Sequence, residues 1–142
     1  MATLSSAVSA AASALSVERT RIEAAVSNIA NAESTRSVNG EPYRRRDVVV
    51  RAEPTESFHD ALGRSTATGV KVTAVVEDQS DFRRRYEPSH PDADKDGFVL
   101  YPNIDLSIEF VNALEASRAY EANVTTMDVT KSMMNATLRL LA

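Results

Sequence analysis

Hydrophobic positions recur at helical spacing at both ends of this chain and at strand spacing between them. In residues 1–36, Leu4, Val8, Ala11, Leu15, Glu18, Ile22, Ala25 and Ile29 stand alternately four and three apart, a heptad seam broken only by Glu18. Thr3, Ser5 or Ser6 can cap this helix, and the polar stretch Asn31–Asn39 ends it. In residues 103–142, Leu106, Phe110, Ala113, Ser117, Tyr120, Val124, Met127, Lys131, Met134, Leu138 and Leu141 keep the same alternation. The spacing predicts a helix from about Ile104 to Leu141, roughly 57 Å long. Asn103 or Asp105 supplies its N-cap, and Glu109 suits its first turn. A second seam, Ala119, Ala122, Thr126, Val129, Met133, Ala136 and Leu140, appears only in the C-terminal half. The apolar arc therefore widens toward the C-terminus, and a wide arc takes more than one partner helix.

Residues 37–102 read differently. Every glycine and proline of the chain lies between Gly40 and Pro102. Val48–Val50, the alternating Val70, Val72, Ala74 and Val76, and Phe98–Tyr101 predict short strands. Ser57–Arg64 is read as a helical turn or a mobile loop. The expected fold is mainly α with a small β insert. A hairpin of the two terminal helices accounts for one seam and leaves the other uncovered. The pattern thus points to assembly, with the long helices packing as a coiled coil among several chains.

Composition narrows the function further. At 142 residues the length fits one domain, and the absence of cysteine removes disulfides, thiolate nucleophiles and Cys-based zinc sites. A net charge of −4 argues against a general nucleic-acid binder. Ala7–Ala14 imitates the tail of a signal peptide, but no Lys or Arg precedes Arg19 and large apolar residues are sparse, so no cleaved signal is expected. No run approaches the length of a membrane span.

Three constellations invite a chemical reading. Asp92, Asp94, Asp96 and Gly97 match the start of an EF-hand calcium loop, which makes a calcium-binding module one alternative. Asn103 stands where the bidentate carboxylate belongs, however, and Pro88, Pro91 and Pro102 interrupt the motif. His90 could join that acidic cluster, but His59 is the only other histidine and is distant in sequence. Arg44–Arg46 and Arg83–Arg85, beside Tyr43 and Tyr86, suggest an RNA-binding adaptor as a second alternative; the other reading is solvated strand faces or contacts to carboxylates of a neighbouring subunit. No nucleophile–base pair, Gly-rich phosphate loop or paired carboxylates in a pocket is apparent, so neither an enzyme nor a cofactor is expected.

Several blocks together resemble the FlgC-type proximal rod subunits of the bacterial flagellar basal body. They are Ser27-Asn28-Ile29-Ala30-Asn31-Ala32 with Thr35-Arg36, Pro42-Tyr43-Arg44-Arg45, and His90-Pro91-Asp92-Ala93-Asp94 with Asp96-Gly97 and Tyr101-Pro102-Asn103. Ala116-Ser117-Arg118-Ala119-Tyr120, Ala122-Asn123-Val124 and Thr130-Lys131-Ser132-Met133 complete the match, which runs nearly end to end. The resemblance implies a non-enzymatic subunit, exported unfolded by the flagellar type III apparatus without a cleaved signal and polymerised in the periplasm into a torque-transmitting shaft. It implies terminal helices in a coiled-coil inner layer and the central segment outside. It also implies, as neighbours, further copies, the rod proteins FlgB, FlgF and FlgG, and the adaptor FliE. The assembly interface is then expected at Leu4, Val8, Leu15, Ile22, Asn28, Ile29 and Asn31 of the first helix. On the second helix it is expected at Phe110, Tyr120, Val124, Met127, Val129, Met133, Met134, Leu138, Leu140 and Leu141.

Overall fold

A computed structural model of the chain describes residues 2–37, 39–54 and 68–141. The expected turn or loop at Ser57–Arg64, with His59, lies outside them. The element order is α1 (Ala2–Ala30), β1 (Arg46–Pro54), β2 (Thr68–Glu77), β3 (Arg83–Tyr86), β4 (Phe98–Tyr101) and α2 (Leu106–Leu141).

Both helices are free of Gly and Pro, and each ends on a side chain that satisfies the backbone. At the close of α1, the Asn31 amide group donates to the Ser27 carbonyl from both its backbone N (3.1 Å) and its Nδ2 (2.9 Å). At the start of α2, Asp105 is the N-cap: its Oδ1 accepts from Ser107 N at 2.9 Å and Ile108 N at 3.4 Å. Asn103, the other candidate cap, instead donates to Ser80 Oγ at 3.0 Å. With 36 residues, α2 is about 54 Å long.

The helices form an antiparallel hairpin, because Asn28 near the end of α1 meets Glu109 near the start of α2. The β1–β2 ribbon lies on α1, and no described strand makes backbone contact with α2. Two side chains of α1 hold the ribbon by its edges. Ser13 Oγ accepts from Val70 N at 3.1 Å, and the Asn28 amide bonds both backbone groups of Arg46. A β-bulge between the Val49 and Val50 pairings rephases the ribbon, so Val50 stands opposite Val72 while Val49 stands opposite Ala74. Val70 and Val72 therefore share a face with Val75, Val48 and Val50, rather than with Ala74 and Val76 as simple alternation predicts. The opposite face carries Asp47, Arg51, Glu53 and Lys71, with Lys71 and Glu53 paired at 3.6 Å.

A second antiparallel pair, β3–β4, uses the run Arg83–Tyr86, which sequence alternation did not mark as a strand. It holds because aromatic rings on β4 receive the arginines. Arg84 lies 4.6 Å from the Phe98 ring centroid, Arg85 lies 5.7 Å from that of Tyr101, and Tyr86 packs edge-on to Phe98 at 5.4 Å. Gly97 enters β4 at φ +80°, where a Cβ would come within 2.8 Å of the Tyr86 ring. The buried apolar residues, Ala11, Val17, Ala25, Val99, Ile104 and Ala116, are mostly small. This is a thin core for so long a pair of helices.

Candidate assembly surface

The face that α2 turns toward α1 carries alanine, polar and methionine side chains. Glu109, Ala116 and Thr130 are buried there, and Asn112, Ala113, Asn123, Met127, Met134 and Thr137 are half-buried. The spacing remains four and three, but the stripe is rotated against the seam read from the large apolar residues. Ala113, Met127 and Met134 of that seam turn inward. Phe110, Tyr120, Val124 and Leu138 remain exposed, Phe110 to 60%. The partner face accords with the rotation: α1 presents buried Ala11 and Ala25, which leave room opposite them without requiring large side chains from α2. The inward polar groups are satisfied within their own helix. Asn123 Nδ2 donates to the Ala119 carbonyl (2.9 Å), Thr130 Oγ1 to that of Thr126 (2.8 Å) and Thr137 Oγ1 to that of Met133 (2.9 Å).

On α1 the seam faces inward: Ala11 and Ala25 are buried, while Leu4, Val8, Leu15, Ile22 and Ile29 are half-buried. Glu18, its one polar member, pairs with Arg21 at 3.2 Å and keeps its side chain 14% exposed. The second seam of α2 faces away from α1, with Ala122, Thr126, Val129, Met133 and Ala136 all exposed. The side chains of Leu140 and Leu141 lie outside the described residues. Nearer its start, α2 also exposes Ile108, Val111 and Leu114. These exposed apolar side chains lie on more than one face of α2, one group around Phe110 and another around Met133. No described helix is long and apolar enough to cross a membrane.

A buried polar knot joins α1, α2 and the ribbon. Asn28, 1% exposed, uses its full hydrogen-bonding capacity. Its Nδ2 donates to the Arg46 carbonyl (2.9 Å) and Glu109 Oε2 (2.8 Å), and its Oδ1 accepts from Arg46 N (2.8 Å) and the Tyr43 hydroxyl (3.1 Å). The Glu109 side chain, 2% exposed, receives Arg45 Nε at 2.8 Å and Asn112 Nδ2 at 3.3 Å. Arg45 also donates to Asp47 at 2.7 Å. Burial works against the Arg45 charge, but the bonds to Glu109 and Asp47 outweigh it and raise the guanidinium above its ordinary pKa. Asn28, expected at an interface between chains, thus spends every bond inside its own chain, and Asn31 bonds Ser27 and Ser34. Sequence reading assigned Glu109 only to the helix dipole. The available signal was its phase: Glu109 lies one heptad before Ala116 and two before Asn123, on the slim stripe.

The remaining constellations are held by local contacts. Asp92 accepts from Thr35 Oγ1 and pairs with Arg36, both at 2.9 Å. Asp94 Oδ1 accepts from Asp96 N at 2.9 Å and Phe98 N at 2.8 Å, shaping the turn into β4. His90 Nδ1 accepts from Asp92 N at 3.1 Å. No group of three or more His, Cys, Asp or Glu able to hold a metal occurs among the described residues. The arginines do not gather into one basic surface. Arg44 lies 4.4 Å from the Phe82 ring centroid, Arg46 is 3.8 Å from Glu77, Arg84 is 3.6 Å from Asp94, and Arg85 is 2.8 Å from Glu87.

Comparison with known proteins places the chain by sequence. Residues 95–140 match the family model of the flagellar basal body rod FlgEFG protein C-terminal region. The chain is 42% identical over 139 residues to the flagellar basal-body rod protein FlgC of Bacillus subtilis (strain 168), covering 91% of this chain and 92% of that protein. It is 42% identical over 130 residues to FlgC of Salmonella typhimurium, covering 92% of each chain. It is 35% identical over 148 residues to FlgC of Borreliella burgdorferi, covering 97% of each. The chain belongs to the FlgC family of flagellar basal-body rod proteins and is a structural subunit of the rod.

Proposed function

We propose that the chain polymerises through its two terminal helices into the proximal part of the flagellar rod, the shaft that transmits motor torque. The observation that carries this reading is the pair of apolar faces on α2, around Phe110 and around Met133, that α1 leaves uncovered. Neighbouring helices cover them in a coiled-coil inner layer formed by residues 1–36 and 103–142, while residues 37–102 lie outside. The slim intramolecular seam suits this role, because a hairpin with few large buried contacts is free to bury its larger residues between subunits. The chain reaches the periplasm through the flagellar export apparatus without a cleaved signal. Its neighbours are other copies of itself, FlgB, FlgF, FlgG and the adaptor FliE.

The test is complementation of a flagellated bacterium lacking its own FlgC. The chain restores rods in isolated basal bodies and swimming in soft agar. Val129→Asp with Met133→Asp leaves the purified protein helical but yields truncated basal bodies. Full-length rods from that double variant would overturn the reading.

A further inference from the structure

We infer that Glu109 is a positioning residue that fixes the angle of the β1–β2 ribbon to the helix pair, coupling the outer face of α2 to a ribbon whose described strands make no backbone contact with it. The inference starts from the layering. The ribbon rests on α1, and no described strand makes backbone contact with α2. The described polar links from α2 to the ribbon base run through one carboxylate. Glu109 Oε2 accepts from Asn28, whose amide clamps the backbone of Arg46; Glu109 Oε1 accepts from Arg45, the residue before β1.

The two oxygens of this carboxylate therefore orient two donors that reach the same strand terminus. The other polar anchor from α1 to the ribbon, Ser13 Oγ to Val70 N at 3.1 Å, lies toward the opposite end of the ribbon. Two anchors fix a line, and the ribbon can still roll about it. A third anchor, the Arg45–Glu109 pair at the residue before β1, opposes that roll. The same pair transmits any shift of α2: Phe110 and Ile108, adjacent in sequence to Glu109, are both exposed on the outer surface. A neighbour that seats on Phe110 moves Glu109, and Glu109 moves the ribbon.

The experiment exploits the absence of cysteine. Lys71→Cys on the ribbon and Glu121→Cys on α2 take spin labels in the full chain, and the distance distribution is read by pulsed electron paramagnetic resonance. With Glu109 present the distribution is narrow. In Glu109→Ala at native helicity it broadens or splits, and amide exchange of residues 46–53 rises about tenfold. Leu114→Ala, on the same helix but outside the knot, changes neither readout. An unchanged distribution in a helical Glu109→Ala, or equal broadening in Leu114→Ala, overturns the inference. Should Glu109→Ala lose its helices, Glu109→Gln carries the test. It keeps an acceptor for one donor and loses the charge on the other, so an intermediate width supports the inference and a native width refutes it. The outcome is independent of rod assembly, because every measurement is made on the unassembled chain.

Discussion

Replacing Asn28 with Ala removes four hydrogen bonds from one buried side chain, and their separate fates set the size of the effect. The backbone N–H and C=O of Arg46 lie at a ribbon edge beside an exposed residue, where water replaces the amide at modest cost. The Tyr43 hydroxyl keeps a second partner, Ser27 Oγ at 3.1 Å. Glu109 Oε2 is the exception, because its side chain is 2% exposed and Asn28 supplies its described donor. Weakening the solvation of a buried carboxylate costs about 2 kcal/mol, and the three lesser bonds add about 1 kcal/mol between them. A total near 3 kcal/mol is a large share of the 5–15 kcal/mol typical of a folded domain and corresponds to a fall in Tm of roughly 10 °C. Urea unfolding followed by far-ultraviolet circular dichroism measures it directly, with the m-value reporting that the same surface is exposed. A loss below about 1 kcal/mol at unchanged m would show that the knot is not closed as described and would refute the reasoning.

Three further outcomes follow from local geometry. Gly97→Ala places a Cβ against the Tyr86 ring at φ +80°, and should destabilise the β3–β4 pair by about 1–3 kcal/mol, seen as faster amide exchange at Val99 and Leu100 while α1 is unaffected. Asp105→Ala removes the cap of α2 and should cost about 1 kcal/mol in urea, with Asp105→Asn recovering most of it. The Tyr101 hydroxyl donates to Glu87 Oε2 at 2.9 Å, and this bond raises its pKa above the ordinary phenol value of 10.0. The folded state thus holds the phenol proton more tightly. This contribution is fully present below the unfolded pKa and is lost as pH rises through the folded one. Ultraviolet titration should find Tyr101 ionising above the ordinary phenol value, and Tyr101→Phe should flatten the loss of stability above about pH 10.

Much of this molecule was readable from spacing and breakers alone. The confinement of Gly and Pro to the centre marks both helices, and α1 and α2 end within a few residues of the expected positions. The hydrophobic pattern located β1 from a β-branched run, β2 from an alternation and β4 from an apolar run. It missed β3 because Arg83–Arg85 has no apolar alternation; its stability comes from rings on the partner strand. The phase of the α2 seam was misleading for a similar reason. Heptad reading weights the largest apolar residues, yet a helix packed against an Ala-rich face buries its slimmest ones. The knot was harder to see, since its members lie in three separate segments and a single Glu in a first helical turn looks like a dipole effect. Only the fold brings Glu109 under Asn28.

The grading of side chains along the α1–α2 seam has a mechanical consequence. At one end, charge-assisted hydrogen bonds tie α2 to α1 and to the ribbon base. Toward the other end, the contacts are alanines, methionines and hydroxyls bonded to their own helix. Shear applied along α2 therefore meets a rigid root and a compliant tip, as in a cantilever clamped at Glu109. From that clamp to Leu141 the beam is about 48 Å long. Bending along most of it is absorbed by sliding of slim contacts, and only load reaching the root is passed on to the ribbon.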